Sequence, residues 1–158
     1  MARVVLFAPQ IPPNTGNVAR TCAATGSELH LIEPLGFSIS DRHLRRAGLD
    51  YWPLVQLRCH PDVPSFLAHC RQEGGRLLAM SSHASAPYTA CRYQASDWLL
   101  FGRETDGLSP ALLAAADARL TIPMPGSARE IPGGVRSLNL SVAVAVVVFE
   151  ALRQQAQH

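Results

Sequence analysis

The sequence predicts an α/β fold, a parallel sheet with helices on both faces, and three observations predict it. Short apolar runs, such as residues 4–7 (VVLF) and 98–101 (WLLF), read as buried strands. These runs alternate with longer helical patterns, the order of strands and helices in a parallel sheet. The 158 residues are 47% hydrophobic and 16% charged, enough apolar material for one compact domain spanning 1–158 with a real core.

Residues 3–8 read as the first strand. Asn14 and Thr15 then offer caps for a helix that runs to Gly26, a good residue just past a helix end. Residues 28–33 form a second strand, closed by a Pro-Gly turn at 34–36. Asp41 can cap a short basic helix through Ala47. Residues 53–59 read as a third strand and 61–73 as a helix closed by Gly74 and Gly75. Two more buried strands, 76–81 and 97–101, flank a polar stretch that reads as a loop with a short helix. Ser109 or Pro110 starts a helix through Ala116, and 119–122 is a last strand. Residues 142–148 are rich in β-branched valine, yet the segment runs without a turn signal from Asn139 to Arg153, too long for a strand, and reads as helix. A helix apolar nearly all round needs cover on several sides, which in a small domain suggests a dimer partner.

Composition excludes several chemistries. All 14 basic residues counted as Lys+Arg are arginine, so no Schiff-base, pyridoxal or phosphate-loop lysine exists. The formal charge of +2 permits a nucleic-acid partner without requiring one. Cys22, Cys59, Cys70 and Cys91 form no C-x-x-C pair. Adjacent residues diverge on strands and helices, so Cys59-His60 and His69-Cys70 make a poor tetrahedral set. Reduced thiols and no metal are the expectation. The first apolar run ends at Pro9, too early for a secretory segment. The apolar stretch at 138–152 is shorter than a membrane span and holds Asn139, Ser141 and Glu150, so a soluble cytoplasmic protein is expected.

Three segments carry chemistry. Residues 11–20 (IPPNTGNVAR) stiffen the approach to a helix with two prolines, let another group come close at Gly16, and place the single cation Arg20 on an otherwise apolar helix. A structural reading, Arg20 paired with a core carboxylate, stays open. Residues 99–108 (LLFGRETDGL) end a buried strand in a glycine-flanked polar loop, the usual ligand position in parallel sheets. That loop lacks the Gly-Lys-Ser of a Walker loop, and there is no G-x-G-x-x-G. Glu104 with Asp106 as a metal pair, or a plain β-turn, are its alternatives. Residues 136–141 (RSLNLS) put Ser137, Asn139 and Ser141 at a helix start, where capping explains one of the three.

In this order, and with residues 32–37 (IEPLGF), 44–51 (LRRAGLDY), Phe101-Gly102-x-Glu104-x-x-Gly107-Leu108 and 137–141 (SLNLS), these segments resemble the SPOUT superfamily of RNA methyltransferases. The specific likeness is to its small TrmL-like tRNA (cytidine/uridine-2′-O)-methyltransferases, and it covers essentially the whole chain. The resemblance implies a C-terminal trefoil knot, which no composition could suggest. It implies a homodimer and the methyl donor S-adenosyl-L-methionine, leaving as S-adenosyl-L-homocysteine. By resemblance the donor is held by backbone around Met80, Gly102, Ile122 and Ser137 or Leu138. Asn14, Arg20, Glu104, Asn139 and Ser141 line the reaction centre. The loop at 125–135 is longer than is usual for the family.

The implied reaction is methylation of the ribose 2′-hydroxyl at the wobble nucleotide, cytidine or modified uridine, of tRNA. Arg20 is the implied base. Because a guanidinium keeps its proton, its expected part is to orient the hydroxyl and stabilise developing alkoxide charge. Arg42, Arg45 and Arg46 share one face of the basic helix, either an RNA phosphate patch or a solvated surface. The alternatives are methylation at another tRNA or rRNA position, or an RNA-binding SPOUT protein without catalysis.

Overall fold

The computed structural model describes residues 2–40, 42 and 51–156. Among the described residues six strands are β1 (Arg3–Phe7), β2 (Glu28–Ile32), β3 (Leu57–His60), β4 (Leu77–Met80), β5 (Trp98–Phe101) and β6 (Ala118–Leu120). Among the described residues the helices are α1 (Pro12–Thr25), α2 (Val63–Glu73), α3 (Pro110–Ala115) and α4 (Leu140–Gln155). The strands form one sheet in the order β3-β2-β1-β5-β4-β6, and every pairing is parallel. The predicted α/β sheet is therefore present, with helices on both faces.

Side-chain alternation divides the core. Leu6, Leu29, Leu31, Leu78, Leu99 and Phe101 meet α1 and α4 on one face. Val5, Phe7, Ala79, Trp98 and Leu100 meet α2 and α3 on the other, through Phe66, Cys70 and Leu112. Trp98 is fully buried, and its indole N–H donates to the Gly74 carbonyl at 2.9 Å. The fully buried Asp97 accepts two hydrogen bonds from Arg76, at 2.9 and 2.7 Å, so its charge is paired where it cannot be hydrated.

Parallel strands send all their carboxyl ends to one edge. The chain leaves β1 toward β2 on one side and leaves β5 toward β6 on the other, while β1 and β5 are neighbours. Such a switch point opens a crevice between the two outgoing loops, where open α/β sheets hold ligands.

Several boundaries move from the expected ones, for local reasons. The helix expected to be capped by Asn14 or Thr15 starts earlier, at Pro12, because prolines suit the first helical positions; Asn14 lies inside it. The strand expected over 53–59 begins only at Leu57, since Trp52–Leu54 tighten into a 3-10 turn around Pro53, which has no N–H for a ladder. Asp62 caps α2 by accepting from the Ser65 N–H at 2.7 Å. Ser109 caps α3. The β-branched C-terminal segment is helix, as its length implied. Of the expected basic helix, Arg42 is helical and exposed, while Asp41, Arg45, Arg46 and the rest of 43–50 lie outside the described residues. Among the described residues no helix is long and apolar enough to cross a membrane.

Candidate active site

At the switch point Glu104 bridges the two outgoing loops. Its carboxylate accepts from the Gln10 N–H at 3.0 Å and the Ile11 N–H at 3.1 Å, joining the loop after β5 to the chain entering α1. A carboxylate here also faces the positive end of α1. Asn14, buried at 7% exposure, donates its Nδ2–H to Glu104 at 3.5 Å and accepts at Oδ1 from Asn139 Nδ2 at 3.0 Å. Asn139 caps α4, accepting at its own Oδ1 from the Ser141 N–H at 2.9 Å and the Ser141 hydroxyl at 2.6 Å. Four residues singled out in sequence thus form one chain, Glu104–Asn14–Asn139–Ser141, across three distant segments. The carboxylate sets its direction, because Asn14 can meet it only with the NH₂ end.

Arg20 lies on the same helix but is exposed. It donates to the Tyr51 hydroxyl at 3.3 Å and lies 4.7 Å from the centre of that ring. Its contacts are with an aromatic ring rather than the core carboxylate that the structural reading required. Tyr51 and Gln10 were not picked out in sequence as site residues. Gln10 also accepts the Thr105 hydroxyl at 2.8 Å, locking the β5 loop a second time. Tyr51 belongs to the 44–51 segment that carried the resemblance; Gln10 had no such signal.

Met80 ends β4, Gly102 follows β5 and Ile122 lies just beyond β6, so the three residues expected around the donor stand at the carboxyl ends of adjacent strands. Gly102 has to be glycine. A Cβ there would lie 2.4 Å from the Gly107 carbonyl carbon, because the loop closes on itself through paired Arg103–Gly107 backbone bonds at 3.0 and 3.1 Å. Arg103 and Asp106 form a two-point ion pair outside this turn, at 2.7 and 2.5 Å. Glu104 and Asp106 are therefore committed to different partners, not to a shared metal.

Ser137 and Leu138 are exposed, immediately before α4. The long loop ahead of them folds back on itself: Ala128 N–H donates to the Val135 carbonyl at 2.9 Å, and Val135 N–H to the Gly126 carbonyl at 3.1 Å. Arg129 reaches from it to the Ser82 carbonyl and the His83 ring. The Thr121 N–H donates to the Ala86 carbonyl at 2.8 Å, and the Tyr88 N–H to the Thr121 carbonyl at 2.7 Å. The segments after β4 and β6 are thereby laced together beside Met80 and Ile122.

Residues 1–149 match the SpoU rRNA Methylase family. The chain is 49% identical over 157 residues to the tRNA (cytidine(34)-2′-O)-methyltransferase of Burkholderia pseudomallei, covering 98% of this chain and 96% of that protein. It is similar, with a TM-score of 0.90 and 48% identity over 100% of this chain and 98% of the other, to a solved structure described as giving insights into 2-OH methylation of C/U34 on tRNA. An AdoMet-bound rRNA methyltransferase from Sinorhizobium meliloti gives a TM-score of 0.86 at 27% identity, covering 96% of this chain but 56% of that one.

Proposed function

The chain belongs to the SpoU rRNA methylase family, and we infer that it methylates the ribose 2′-hydroxyl of the wobble nucleotide, position 34, of tRNA. It is a tRNA methyltransferase that uses S-adenosyl-L-methionine. The observation that carries this reading is the Glu104–Asn14–Asn139–Ser141 chain beside the ends of β4, β5 and β6. Identity favours the tRNA substrate over rRNA: 49% to the Burkholderia tRNA enzyme against 27% to the Sinorhizobium rRNA enzyme.

The residues present suit the donor. Met80, Gly102 and Ile122 offer backbone at one edge of the sheet, where parallel sheets bind ligands, and a Cβ on Gly107 would meet open space. Those three, with Ser137 and Leu138, would hold it. When bound, the donor supplies a methyl group already activated on a sulfonium. The protein's task is then placement, and orientation can lower such a barrier by about 7–11 kcal/mol. Asn14, Glu104, Asn139 and Ser141 form a polar wall whose hydrogen bonds are made before substrate arrives, so little reorganisation is needed. Arg20 orients the 2′-hydroxyl and balances the charge that develops on its oxygen. A guanidinium stays protonated, so the hydroxyl proton passes to solvent water as the new O–CH₃ bond forms.

Further parts of the reading rest on the family. The lacing of the 81–88 segment to Thr121 and Arg129 supports a trefoil knot around the donor. The exposed Val142 and Phe149 on α4, one heptad apart, support a homodimer. Arg42, with Arg45 and Arg46, would meet tRNA phosphates, and the enzyme would act in the cytoplasm.

The test is transfer of labelled methyl from S-adenosyl-L-methionine to tRNA transcripts, with the product mapped by ribose-methylation sequencing. Label at position 34 is expected. Arg20→Ala and Arg20→Lys are each expected to lower turnover about 100-fold or more while donor affinity, measured separately, stays unchanged. Full turnover in Arg20→Ala ends the assignment of Arg20, and label at another nucleotide ends the assignment of position 34.

A further inference from the structure

The sheet face under α2, away from Asn14 and Asn139, carries a second cluster. β2 holds His30 within an apolar run, β3 ends on His60, and α2 carries His69. The register sets Arg58 opposite His30 and His60 opposite Ile32, so alternation puts His30 and His60 on one face, a diagonal step apart. His69 comes down on them from the helix. Ring centres are 5.2 Å apart for His30–His60, 5.8 Å for His30–His69 and 5.2 Å for His60–His69. One ring nitrogen from each lies within 4.8 Å of the others. His30 and His60 are buried at 2% and 4% exposure, and His69 is half-buried. The sequence pairs Cys59-His60 and His69-Cys70 are split as expected: the fold leaves both cysteines out and brings the two histidines to a third.

One hydrogen bond at the cluster is of the kind that supports a metal site, and a second joins two of the ligand nitrogens directly. His30 Nε2 lies 3.0 Å from a Glu28 carboxylate oxygen, and His30 Nδ1 lies 2.9 Å from His60 Nε2. A carboxylate on one ring nitrogen fixes the tautomer and turns the other lone pair toward the centre, as in carboxylate–histidine–metal triads. Trp98 and Phe66 wall the cluster edge-on, at 4.9 Å from His30 and 5.3 Å from His60. On its open side lies a cleft of ≈ 260 Å³, lined also by Arg3, Arg58, Glu28 and Glu73. The two arginines and two glutamates balance, and Arg3 is drawn to Glu28 at 3.8 Å and to the Gly74 carbonyl at 3.1 Å. No net positive charge from these groups repels a cation.

We propose that His30, His60 and His69 form a site for a zinc-class divalent transition-metal ion, with Glu28 as the supporting carboxylate and the fourth position open to the cleft. Imidazole suits such ions, and three protein ligands with one open position is an established arrangement. Zinc–nitrogen bonds of about 2.0–2.1 Å set ligand nitrogens roughly 3.4 Å apart, so loading opens the His30–His60 pair by about 0.5 Å and draws the widest pair in. The proton in the His30–His60 hydrogen bond, carried by His60 Nε2 when His30 donates to Glu28, moves to His60 Nδ1. Three neutral imidazoles then face the ion. The ion ties β2, β3 and α2 together and turns its open position to the cleft, on the sheet face away from Asn14 and Asn139.

The test uses the full chain, stripped with a chelator and dialysed. Co²⁺ titration followed by visible absorption should give the ligand-field bands of a four-coordinate site at one equivalent, and Zn²⁺ should raise the melting temperature. His69→Ala and His69→Gln should weaken Co²⁺ binding at least 100-fold and abolish the Zn²⁺-dependent rise. Glu28→Gln should weaken binding about 10–100-fold. His69 is half-buried on a helix surface, so these variants should keep the metal-free far-ultraviolet spectrum; should His69→Ala unfold, His69→Gln and Glu28→Gln decide the matter. No cobalt spectrum in the unaltered protein, or equal affinity in the folded variants, overturns the site.

Discussion

Asn14 shows how one side chain changes its task when a distant residue reaches it. Read locally it is a helix cap, yet in the fold its amide is stretched between Glu104 and Asn139, which lie 90 and 125 positions away. The cysteines carry a simpler consequence of burial. Cys22 has no exposed surface, and desolvation pushes its thiol up to about 12; Cys70, at 6% exposure, is pushed to about 11. A raised thiol pKa leaves almost no thiolate at pH 8, and the thiolate is the reactive form. In a thiol-reagent titration at pH 8 the exposed Cys59 is expected to react first. Cys22 and Cys70 should wait for denaturant, and Cys59→Ser should remove the fastest phase. Equal labelling of Cys22 in the native protein would contradict its packing.

At the scale of elements, the loop between β5 and α3 is tightly constrained. Gly102 admits no side chain because the Gly107 carbonyl carbon and Leu108 nitrogen stand 2.4 and 2.7 Å from where a Cβ would be. Gly102→Ala must push the turn open, which displaces Glu104 from the Gln10 and Ile11 amides. The expected result is a loss of about 1–3 kcal/mol in stability, typical of overpacking. Donor affinity should fall at least tenfold. Denaturant unfolding and donor binding measured on the same variant check this; unchanged values for both would mean the turn relaxes freely.

On the molecular scale, α4 is a helix with one face too many. Leu140, Val144, Val147, Val148 and Ala151 are buried against the sheet and α1, while Val142 and Phe149 are 48% and 54% exposed. Burying one such side chain at an interface is worth about 1.5–3 kcal/mol, and a two-fold axis counts it twice. Phe149→Asp and Val142→Asp are therefore expected to raise a dimer dissociation constant by 100-fold or more, read by light scattering during gel filtration. If these variants keep the mass of a dimeric parent, α4 is not the interface.

The local grammar of the chain was enough for its elements: apolar runs for strands, glycines and caps for helix ends, and an uninterrupted C-terminal segment too long for a strand. It also made Asn14, Arg20, Glu104, Asn139 and Ser141 stand out as polar residues in apolar or glycine-rich settings, while their expected place at a reaction centre rested on the family resemblance. What only the tertiary structure decided was partnership. The hydrogen bond between Asn14 and Asn139, the Tyr51 ring beneath Arg20 and the meeting of His30, His60 and His69 all depend on strand order and register. Propensity acts between near neighbours along the chain. The order β3-β2-β1-β5-β4-β6 is set by which apolar faces bury one another, and that is a property of the whole core.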